Sequence, residues 1–355
     1  LISFIASMSG EGNLRVEENL GEGYVRLRVS EAERRQAKHD IQHVEDIVIE
    51  MLRNARDAGA DKVYLATTKE ESVRTLLFLD NGSGVPQDMQ ERIFDARVTS
   101  KLESMKMDRW GVHGRGMALF SIKQNTDEAR VVSSGVDLGS SFKVRVATER
   151  LGERADQSSW PQAVKDEDGR YVCARGPHNI IRAACEFALE ELRCCDVYLG
   201  SPSEIAATLY AQASSRLDTS RLLFIDDECE LPVIDRLGLA SDAEDFIRIC
   251  SGLGLEMSER TAHRILSGQI KPVRGVTARL LRERDSTSHA PAPIDLAKDR
   301  RGLRIAKDDM AQFSRAVERD FNDLAARYYL NLCGDPKIRV SRDRITVTFD
   351  LAKEE

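Results

Sequence analysis

The amino-acid sequence predicts an α/β fold in which a mixed β-sheet is covered by helices. Apolar residues recur at helical spacing between Ile41 and Ala55. Short runs in which apolar and polar residues alternate flank this segment, and glycine-rich turns separate them. After about residue 170 the pattern becomes mainly helical, and the chain is predicted to end in a β-hairpin.

The predicted strands and turns of the sheet lie in the first 150 residues. Alternation at Val25, Leu27 and Val29 predicts a strand over 23–29. One long helix should follow, from residue 31 or 36 to Ala58, where Gly59 is placed to end it. The next predicted elements are strands at 62–67 and 75–79, a helix at 87–94, a helix at 115–123, and strands at 129–133 and 141–147.

The rest of the chain is predicted to consist of helices separated by two linkers. Polar, proline-containing stretches at 149–168 and 286–293 indicate the linkers. They divide the chain into an N-terminal domain (1–150), a mainly helical region (151–285), and a C-terminal helix with a hairpin (286–355). Helices are predicted at 179–193, 203–214, 241–251 and about 306–332, and hairpin strands at 337–340 and 344–349.

Composition argues against several classes of protein. The chain of 355 residues carries a net charge of −7, so any contact with DNA requires a local basic patch. No apolar run approaches the roughly 18 residues that span a bilayer, so no membrane partner is expected. Seven cysteines at irregular spacing, without a C-x-x-C pair, predict reduced thiols in a cytoplasmic protein rather than disulfides or a zinc site.

The predicted long helix carries three polar residues on one face. Glu50, Asn54 and Asp57 follow one another at i, i+4 and i+7, beside the apolar stripe. An amide oxygen is a hard ligand that suits Mg²⁺. A carboxylate one turn away can orient and deprotonate an attacking water. The pattern therefore indicates a magnesium–phosphate site, and the alternative is an ordinary solvated face.

Two glycine-rich turns complete the candidate site. In Asp80-Asn-Gly82-Ser-Gly84-Val85 a strand delivers a carboxylate into a turn, where it can accept a hydrogen bond from an exocyclic amine. In the segment 111–122 (GVHGRGMALFSI) small residues precede a helix start, so backbone N–H groups can face phosphate oxygens. The second turn lacks the Gly-Lys-Ser/Thr ending of a Walker loop.

The order and spacing of these three segments resemble the nucleotide-binding boxes of the GHKL superfamily. This superfamily includes gyrase-type topoisomerases, heat-shock chaperone ATPases, sensor histidine kinases and MutL. The run 54–63 (NARDAGADKV) is similar to MutL's asparagine box and the strand after it, and Thr99-Ser100-Lys101 resembles the TSK of the MutL lid. The run 115–122 is similar to MutL's RGEALxSI, with Met117 where MutL has Glu. The resemblance covers residues 38–147 and implies a Bergerat two-layer sandwich that binds ATP and Mg²⁺.

The resemblance also implies roles for individual residues. Glu50 would be the general base, Asn54 the Mg²⁺ ligand, and Asp80 the acceptor for the adenine amine. Asp57 would support the site structurally. Lys101 would contact phosphate from the lid, unless it is simply solvated. The residues expected to contact the nucleotide are Asn54, Asp57, Asp80, Gly82, Gly84, Val85, Thr99, Lys101, Gly111, Val112, His113, Gly114, Arg115, Gly116, Met117 and Ser141.

Three functions stay open from the sequence. The first is a Mg²⁺-dependent ATPase that closes a lid over ATP and forms a homodimer, as the MutL resemblance implies. The second is a nucleotide-sensing regulator that binds DNA through 253–284, because 241–270 has the rhythm of a helix-turn-helix with Arg260, His263 and Arg264 outward. An ordinary amphipathic helix would give the same pattern. The third is a protein kinase or anti-sigma factor. We expect His39 and His43 to lie on the same helix as Glu50, and this position argues against a phospho-acceptor histidine on a separate helical hairpin.

Overall fold

The computed structural model divides the chain into two compact units, residues 1–284 and 285–355. The boundary predicted at residue 150 falls inside the first unit, and as a division between domains it stays a prediction. In the parts of the chain that the structure describes, no helix is long and apolar enough to cross a bilayer. The described residues are 16–100, 106–108, 111–113, 116–154, 156–192, 194–217, 227–281, 307–325, 330–340 and 345–353.

A five-stranded mixed sheet forms the centre of the first unit, which confirms the predicted α/β class. Four strands are antiparallel neighbours and correspond to predicted strands. The fifth, at one edge, pairs in parallel with its neighbour and was not predicted. In spatial order the strands are β12 (Asp196–Gly200), β3 (Lys62–Glu70), β4 (Val73–Asp80), β9 (Ser140–Ala147) and β8 (Glu128–Ser134).

The prediction of one long helix before the sheet is wrong, because the chain breaks it in two. Ile41 adopts an extended backbone and is buried in the core, only 3% exposed. The Asp46 carboxylate accepts hydrogen bonds from the backbone N–H of His43 at 2.8 Å and of the residue before it at 2.9 Å. These bonds satisfy N–H groups at the start of the second helix. His39 therefore lies on the first helix and not on that of Glu50. The helices are α1 (Glu31–Asp40) and α2 (Val44–Asp57).

Smaller elements surround these helices. The predicted first strand is the second strand of a hairpin. It also pairs on its other side with a two-residue strand that follows the segment 80–97. The helix predicted at 87–94 is two single 3₁₀ turns. Part of the first predicted linker forms a hairpin strand. The elements are β1 (Val16–Gly21), β2 (Tyr24–Leu27), β5 (Val98–Thr99), β6 (Lys106–Asp108), β7 (Gly111–His113), α3 (Ala118–Asn125), β10 (Gln162–Lys165) and β11 (Tyr171–Arg175).

Helices cover both faces of the central sheet. Alternate residues of β4 illustrate this, because Leu76 and Phe78 belong to one apolar core while Leu77 and Leu79 belong to the other. The first core lies between the sheet and the helices α2, α3 and Ile180–Glu190. The second core lies between the other face of the sheet and the helical region after residue 200. The helical region after residue 200 therefore covers the face of the sheet opposite α2. The additional helices are α4 (Ile180–Glu190), α5 (Pro202–Arg216), α6 (Ala243–Gly252) and α7 (Glu259–Leu266).

The described residues of the second unit form one helix and two pairs of strands. The predicted terminal hairpin is confirmed, since two of its strands pair antiparallel from Lys337↔Thr348 to Val340↔Ile345. The predicted helix ends earlier than residue 332, because 330–332 form a strand. The linker predicted at 286–293 lies outside the described residues. The elements are α8 (Lys307–Ala325), β13 (Leu330–Leu332), β14 (Lys337–Val340), β15 (Ile345–Thr348) and β16 (Leu351–Lys353).

Candidate functional site

A cavity of about 530 Å³ lies between α2, α3 and the ends of β4 and β9. It falls at the place where the three sequence segments meet in the fold. Residues from α2, from the turn after β4 and from the start of α3 all contribute to its wall. The predicted residues that line it are Glu50, Asn54, Asp57, Asp80, Gly84, Val85, Thr99, Gly116 and Met117.

Glu50 and Asn54 enter the cavity from the same face of α2, one turn apart, as the spacing predicts. The Glu50 carboxylate accepts a hydrogen bond from Nη1 of Arg53 at 2.7 Å. The Arg53 side chain is only 3% exposed and also lines the cavity. A buried guanidinium beside the candidate base was not predicted, although its position three residues after Glu50 places the two on adjacent parts of the helix surface.

Asp57 is held by an ion pair at the end of α2. Its Oδ1 accepts from Nε of Arg56 at 2.9 Å, and Nη1 of Arg56 reaches Oε1 of Glu191 at 3.0 Å. The Asp57 side chain is 3% exposed, so the carboxylate is buried with its partner. These contacts fix the last turn of α2 to the chain after α4, which supports the structural role expected for Asp57.

Asp80 ends β4 with its side chain buried, and the residue is 4% exposed. Its Oδ1 accepts a hydrogen bond from the backbone N–H of Gly82 at 2.8 Å, which fixes the orientation of the carboxylate. Asn81 Oδ1 accepts from the backbone N–H of Lys62 at 2.9 Å and so ties the turn to the start of β3. The buried carboxylate is therefore a rigid acceptor at one end of the cavity.

The turn after β4 interlocks with the turn between β8 and β9. Gly84 has φ +69°, and a Cβ there would overlap the carbonyl oxygen of Gly135. Gly139 has φ +76°, and a Cβ there would overlap the carbonyl oxygen of Asp80. Ser134 Oγ bridges the two turns, because it accepts from Val85 N–H and donates to the Gly139 carbonyl, both at 2.8 Å. Both glycines are thus required for backbone contact.

Two predicted residues do not line the cavity. Gly82 is buried, and a Cβ there would lie 2.9 Å from Cβ of Ala58, so the glycine allows the turn to pack on the end of α2. Ser141 points through the other face of the sheet and donates to the Leu253 carbonyl at 2.7 Å. Its neighbour Ser140 lines the cavity instead, because successive side chains of a strand point to opposite faces.

Another part of the cavity wall is formed by the start of α3. Gly116 has φ +68°, and its carbonyl accepts from the N–H of Arg97 at 2.8 Å, which places the helix start beside β5. Met117 is the N-cap residue and makes no capping hydrogen bond with its side chain. The first N–H groups of a helix have no partner within the helix, so such a start can bind an anion.

Several predicted phosphate contacts cannot be placed. Lys101, Gly114 and Arg115 lie outside the described residues. Gly111, Val112 and His113 form β7, which pairs with β6, and their side chains are also outside the description. The contacts predicted for these six residues stay predictions.

The cavity wall includes a group of residues that the sequence did not suggest. Tyr24 enters it from β2, and Gln36 and Asp40 enter it from α1, where Nε2 of Gln36 donates to Oδ1 of Asp40 at 3.2 Å. Burial raises the pKa of the Tyr24 phenol, and a hydrogen bond with Ser100 opposes this rise. These positions were missed because the break between α1 and α2 was missed. In one continuous helix the residues of α1 would lie farther along the helix axis, away from Glu50.

The oxygen donors in the cavity suit a hard divalent cation. Glu50, Asn54 and Asp40 supply carboxylate and amide oxygens to one wall, the ligand type that Mg²⁺ prefers. Among the described residues no group of three or more His, Cys, Asp or Glu side chains forms a metal cage.

Comparison with known proteins finds a family model that covers most of the residues lining the cavity. Residues 41–154 match the family model described as histidine kinase-, DNA gyrase B-, and HSP90-like ATPase. The match contains α2, β3, β4, α3, β8 and β9, and it ends before β12. No curated protein matches the chain.

Proposed function

We propose that this chain binds ATP with Mg²⁺ and hydrolyses it slowly, because residues 41–154 match the model of a family of histidine kinase-, DNA gyrase B-, and HSP90-like ATPases. One observation carries the proposal. Glu50, Asn54 and Asp80 come from two separate segments and line one cavity of about 530 Å³, a size typical of small-molecule sites.

Two parts of the cavity wall suggest how the nucleotide is oriented. Asp80 is a buried acceptor, so it suits the exocyclic amine of adenine. The start of α3 at Gly116 and Met117 offers backbone N–H groups and a positive dipole end, which suit the phosphates. Asn54 also lines the cavity and would hold Mg²⁺, whose positive charge would offset the negative charge of the phosphates.

In the hydrolysis that we propose, Glu50 acts as the general base. The oxygen of a bound water attacks the γ-phosphorus, the bond from that phosphorus to the bridging oxygen breaks, and ADP leaves with the electron pair. The water proton passes to the Glu50 carboxylate. Arg53 acts as a positioning residue, because its hydrogen bond at 2.7 Å aims the carboxylate along the cavity wall.

Glu50→Gln separates binding from chemistry. Proton transfer to a positioned base contributes about 10²–10⁴-fold, so the variant should bind ATP normally and lose at least about 100-fold in turnover. Calorimetric titration with ATP and release of inorganic phosphate measure the two quantities. Glu70→Gln, an exposed change at the far end of β3, is the matched control. Equal turnover in the wild type and Glu50→Gln would remove the base from the mechanism.

Asp80→Asn tests the adenine end of the site. The substitution replaces one acceptor oxygen by an NH₂ group that cannot accept from the adenine amine, and a lost buried hydrogen bond costs about 1–3 kcal/mol. We expect ATP affinity to fall about 10- to 100-fold, as each 1.4 kcal/mol is tenfold. Unchanged affinity in titration calorimetry would place adenine elsewhere.

The resemblance to MutL adds a proposal about assembly. Thr99 lies in β5, at the start of the segment that resembles the MutL lid, and it lines the cavity. We expect an unhydrolysable ATP analogue to close this segment and to convert the chain into a homodimer. Sedimentation velocity with and without the analogue measures the change. A monomer under both conditions would contradict the MutL-like behaviour and leave ATP hydrolysis untouched.

A further inference from the structure

A cationic surface lies on the opposite side of the sheet from the nucleotide cavity. The segment 257–281 contains five Arg and Lys residues and one acidic residue, Glu259, within a chain whose net charge is −7. Four of the cations are exposed and form no ion pair with any other residue that the structure describes. We call these four the basic surface: Arg260, Arg264, Lys271 and Arg274.

Two of these cations, Arg260 and Arg264, lie on α7, the second of two consecutive helices, and the other two follow it in the chain. Gly254, with φ +83°, turns the chain between α6 and α7, and Ser258 Oγ caps α7 by accepting from the N–H of Thr261. Ala262 and Ile265 on α7 are buried in the second core. The residues between them face solvent, where a shallow depression is lined by Glu259, Arg260, His263, Arg264, Ser267 and Gln269.

From this arrangement we propose that the basic surface binds duplex DNA, with α7 against the bases and the cations on phosphates, and that nucleotide in the cavity changes its DNA affinity. Two exposed arginines on a capped second helix, with one exposed glutamate beside them, fit the way in which helix-turn-helix proteins contact a duplex. The second part of the proposal rests on the proposed ATP site, whereas the first does not.

A direct contact connects the two sites through β9. Ser140 lines the nucleotide cavity, and the next residue, Ser141, donates to the Leu253 carbonyl at 2.7 Å, in the turn between α6 and α7. The turn is also close-packed on the sheet, because a Cβ on Gly254 would lie 2.9 Å from Cδ1 of Leu77. A shift of β9 on nucleotide binding would therefore move the turn and the helix that follows it.

A second contact runs parallel to the first. The Leu138 carbonyl, in the turn that interlocks with Gly84, accepts from the N–H of Val233 at 2.8 Å. Arg236, which is 5% exposed, donates to Ser133 Oγ at 2.6 Å and to the Leu231 carbonyl at 3.1 Å. The segment 231–236 packs in the same core as α6. Both ends of the loop between β8 and β9 are thus bonded to the helical layer.

Charge removal tests the DNA surface. Fluorescence anisotropy of a labelled duplex is measured for the full chain between about 50 and 200 mM salt. We expect the double variant Arg260→Ala/Arg264→Ala to lose at least about tenfold in affinity and to lower the salt slope by about two, one per phosphate contact. The matched control is Lys165→Ala/Arg170→Ala, two exposed cations on the β10–β11 hairpin.

Three outcomes would overturn the DNA surface. They are no binding at low salt in any nucleotide state, an equal loss in the control variant, and stronger binding to single-stranded RNA than to the duplex. Circular dichroism establishes that each variant is folded, and Lys271→Ala/Arg274→Ala provides an independent test away from α7.

A nucleotide titration tests the coupling. We expect an unhydrolysable ATP analogue to change DNA affinity about 5- to 150-fold, the usual range for coupled sites. Asp80→Asn should shift this change to analogue concentrations about 10- to 100-fold higher, because it weakens nucleotide binding, and Ser141→Ala should reduce the change while calorimetry shows normal ATP affinity. If the wild type binds the analogue and its DNA affinity stays constant, the coupling is wrong. If the analogue does not bind at all, the proposed ATP function fails first.

Discussion

The pairing of Glu50 with Arg53 is the residue-scale feature that most affects chemistry in the cavity. A guanidinium that is 3% exposed keeps its charge and orients the carboxylate by a hydrogen bond of 2.7 Å. An unpaired buried charge is costly, so loss of the Glu50 carboxylate would leave Arg53 in an unfavourable environment. Glu50 is therefore held in place before any nucleotide arrives.

Arg53→Met should slow turnover more than it weakens binding. The substitution fills a similar volume and removes the hydrogen bond, so Glu50 can rotate away from the attacking water. We expect kcat to fall about tenfold or more, as expected when a catalytic group is misplaced, with KM for ATP within about threefold of the wild type. Arg53→Lys should recover part of kcat.

An exposed ion pair on α1 provides the matched control for Arg53→Met. Arg35 on α1 lies 3.6 Å from Glu31 with both side chains exposed, and Arg35→Met should change neither kinetic constant. If Arg53→Met lowers stability and leaves kcat intact, Arg53 does not position the base.

Individual site residues were predictable where helical spacing determines direction. Glu50, Asn54 and Asp57 share a face of α2 whatever the exact ends of the helix are. Ser141 was misplaced because a strand alternates every residue, so an error of one position selects the wrong face. Arg53 was missed because an arginine on a helix is usually solvated, and only the packed structure shows it to be buried.

At the scale of elements, an ion-pair cluster around the buried Glu153 carboxylate connects strands of the sheet. Arg74 on β4 is 7% exposed and donates to the Glu153 carboxylate. Lys69 on β3 donates to the same carboxylate at 2.9 Å. The cluster therefore joins two central strands to the chain that follows β9. Burial raises the pKa of Glu153. The hydrogen bonds and charges of Arg74 and Lys69 together lower this pKa by more than burial raises it, so the pKa lies below its ordinary value of 4.5.

This cluster predicts an acid-dependent loss of stability. Because the folded pKa of Glu153 lies below the unfolded value, the carboxylate stabilises the fold above about pH 4.5 and stops doing so as the pH falls through the folded pKa. Urea unfolding between pH 7 and pH 3, followed by circular dichroism, should show Glu153→Gln less stable at pH 7 by about 3 kcal/mol, since Arg74 loses its buried partner.

The variant should also lose part of the pH dependence, so its curve approaches that of the wild type in acid. Glu70→Gln, an exposed neutralisation at the end of β3, should leave both the stability and the pH dependence unchanged. Parallel curves for Glu153→Gln and the wild type would contradict the assignment.

Elements with strong local periodicity were predicted, and those defined by distant partners were not. Strands β3, β4, β8 and β9 were placed within three residues of their observed ends. The break between α1 and α2 was missed because apolar residues continue at helical spacing across it. β12 was missed because a five-residue strand after a helix has little local pattern, and its pairing partner β3 precedes it by more than 100 residues.

At the scale of the whole molecule, two cores share one sheet. Local pattern identified α5, α6 and α7 as amphipathic helices, but it could not show which surface they cover, so the region was predicted to be separate. Both faces of β3 and β4 are buried, which requires a layer on each side. We therefore expect the cavity and the layer that contains α6 and α7 to unfold together.

Phe246→Ala tests this cooperativity. Phe246 on α6 is fully buried in the second core, and its truncation should cost about 3–5 kcal/mol. If the two cores unfold together, urea midpoints followed by circular dichroism and by binding of a fluorescent ATP analogue should fall by the same amount. If nucleotide binding survives at urea concentrations where the second core has melted, the layers are independent.

The parallel pairing of β12 with β3 has a practical consequence for anyone who isolates the ATPase segment. A fragment trimmed to residues 41–154 would leave the hydrogen-bonding groups of Val63 to Ala66 on that side without a neighbour, in a strand rich in apolar residues. Such an open border invites pairing between fragments and precipitation. The smallest well-behaved piece should extend at least through Gly200, with enough of the following helices to shield Tyr64 and Leu79 from water.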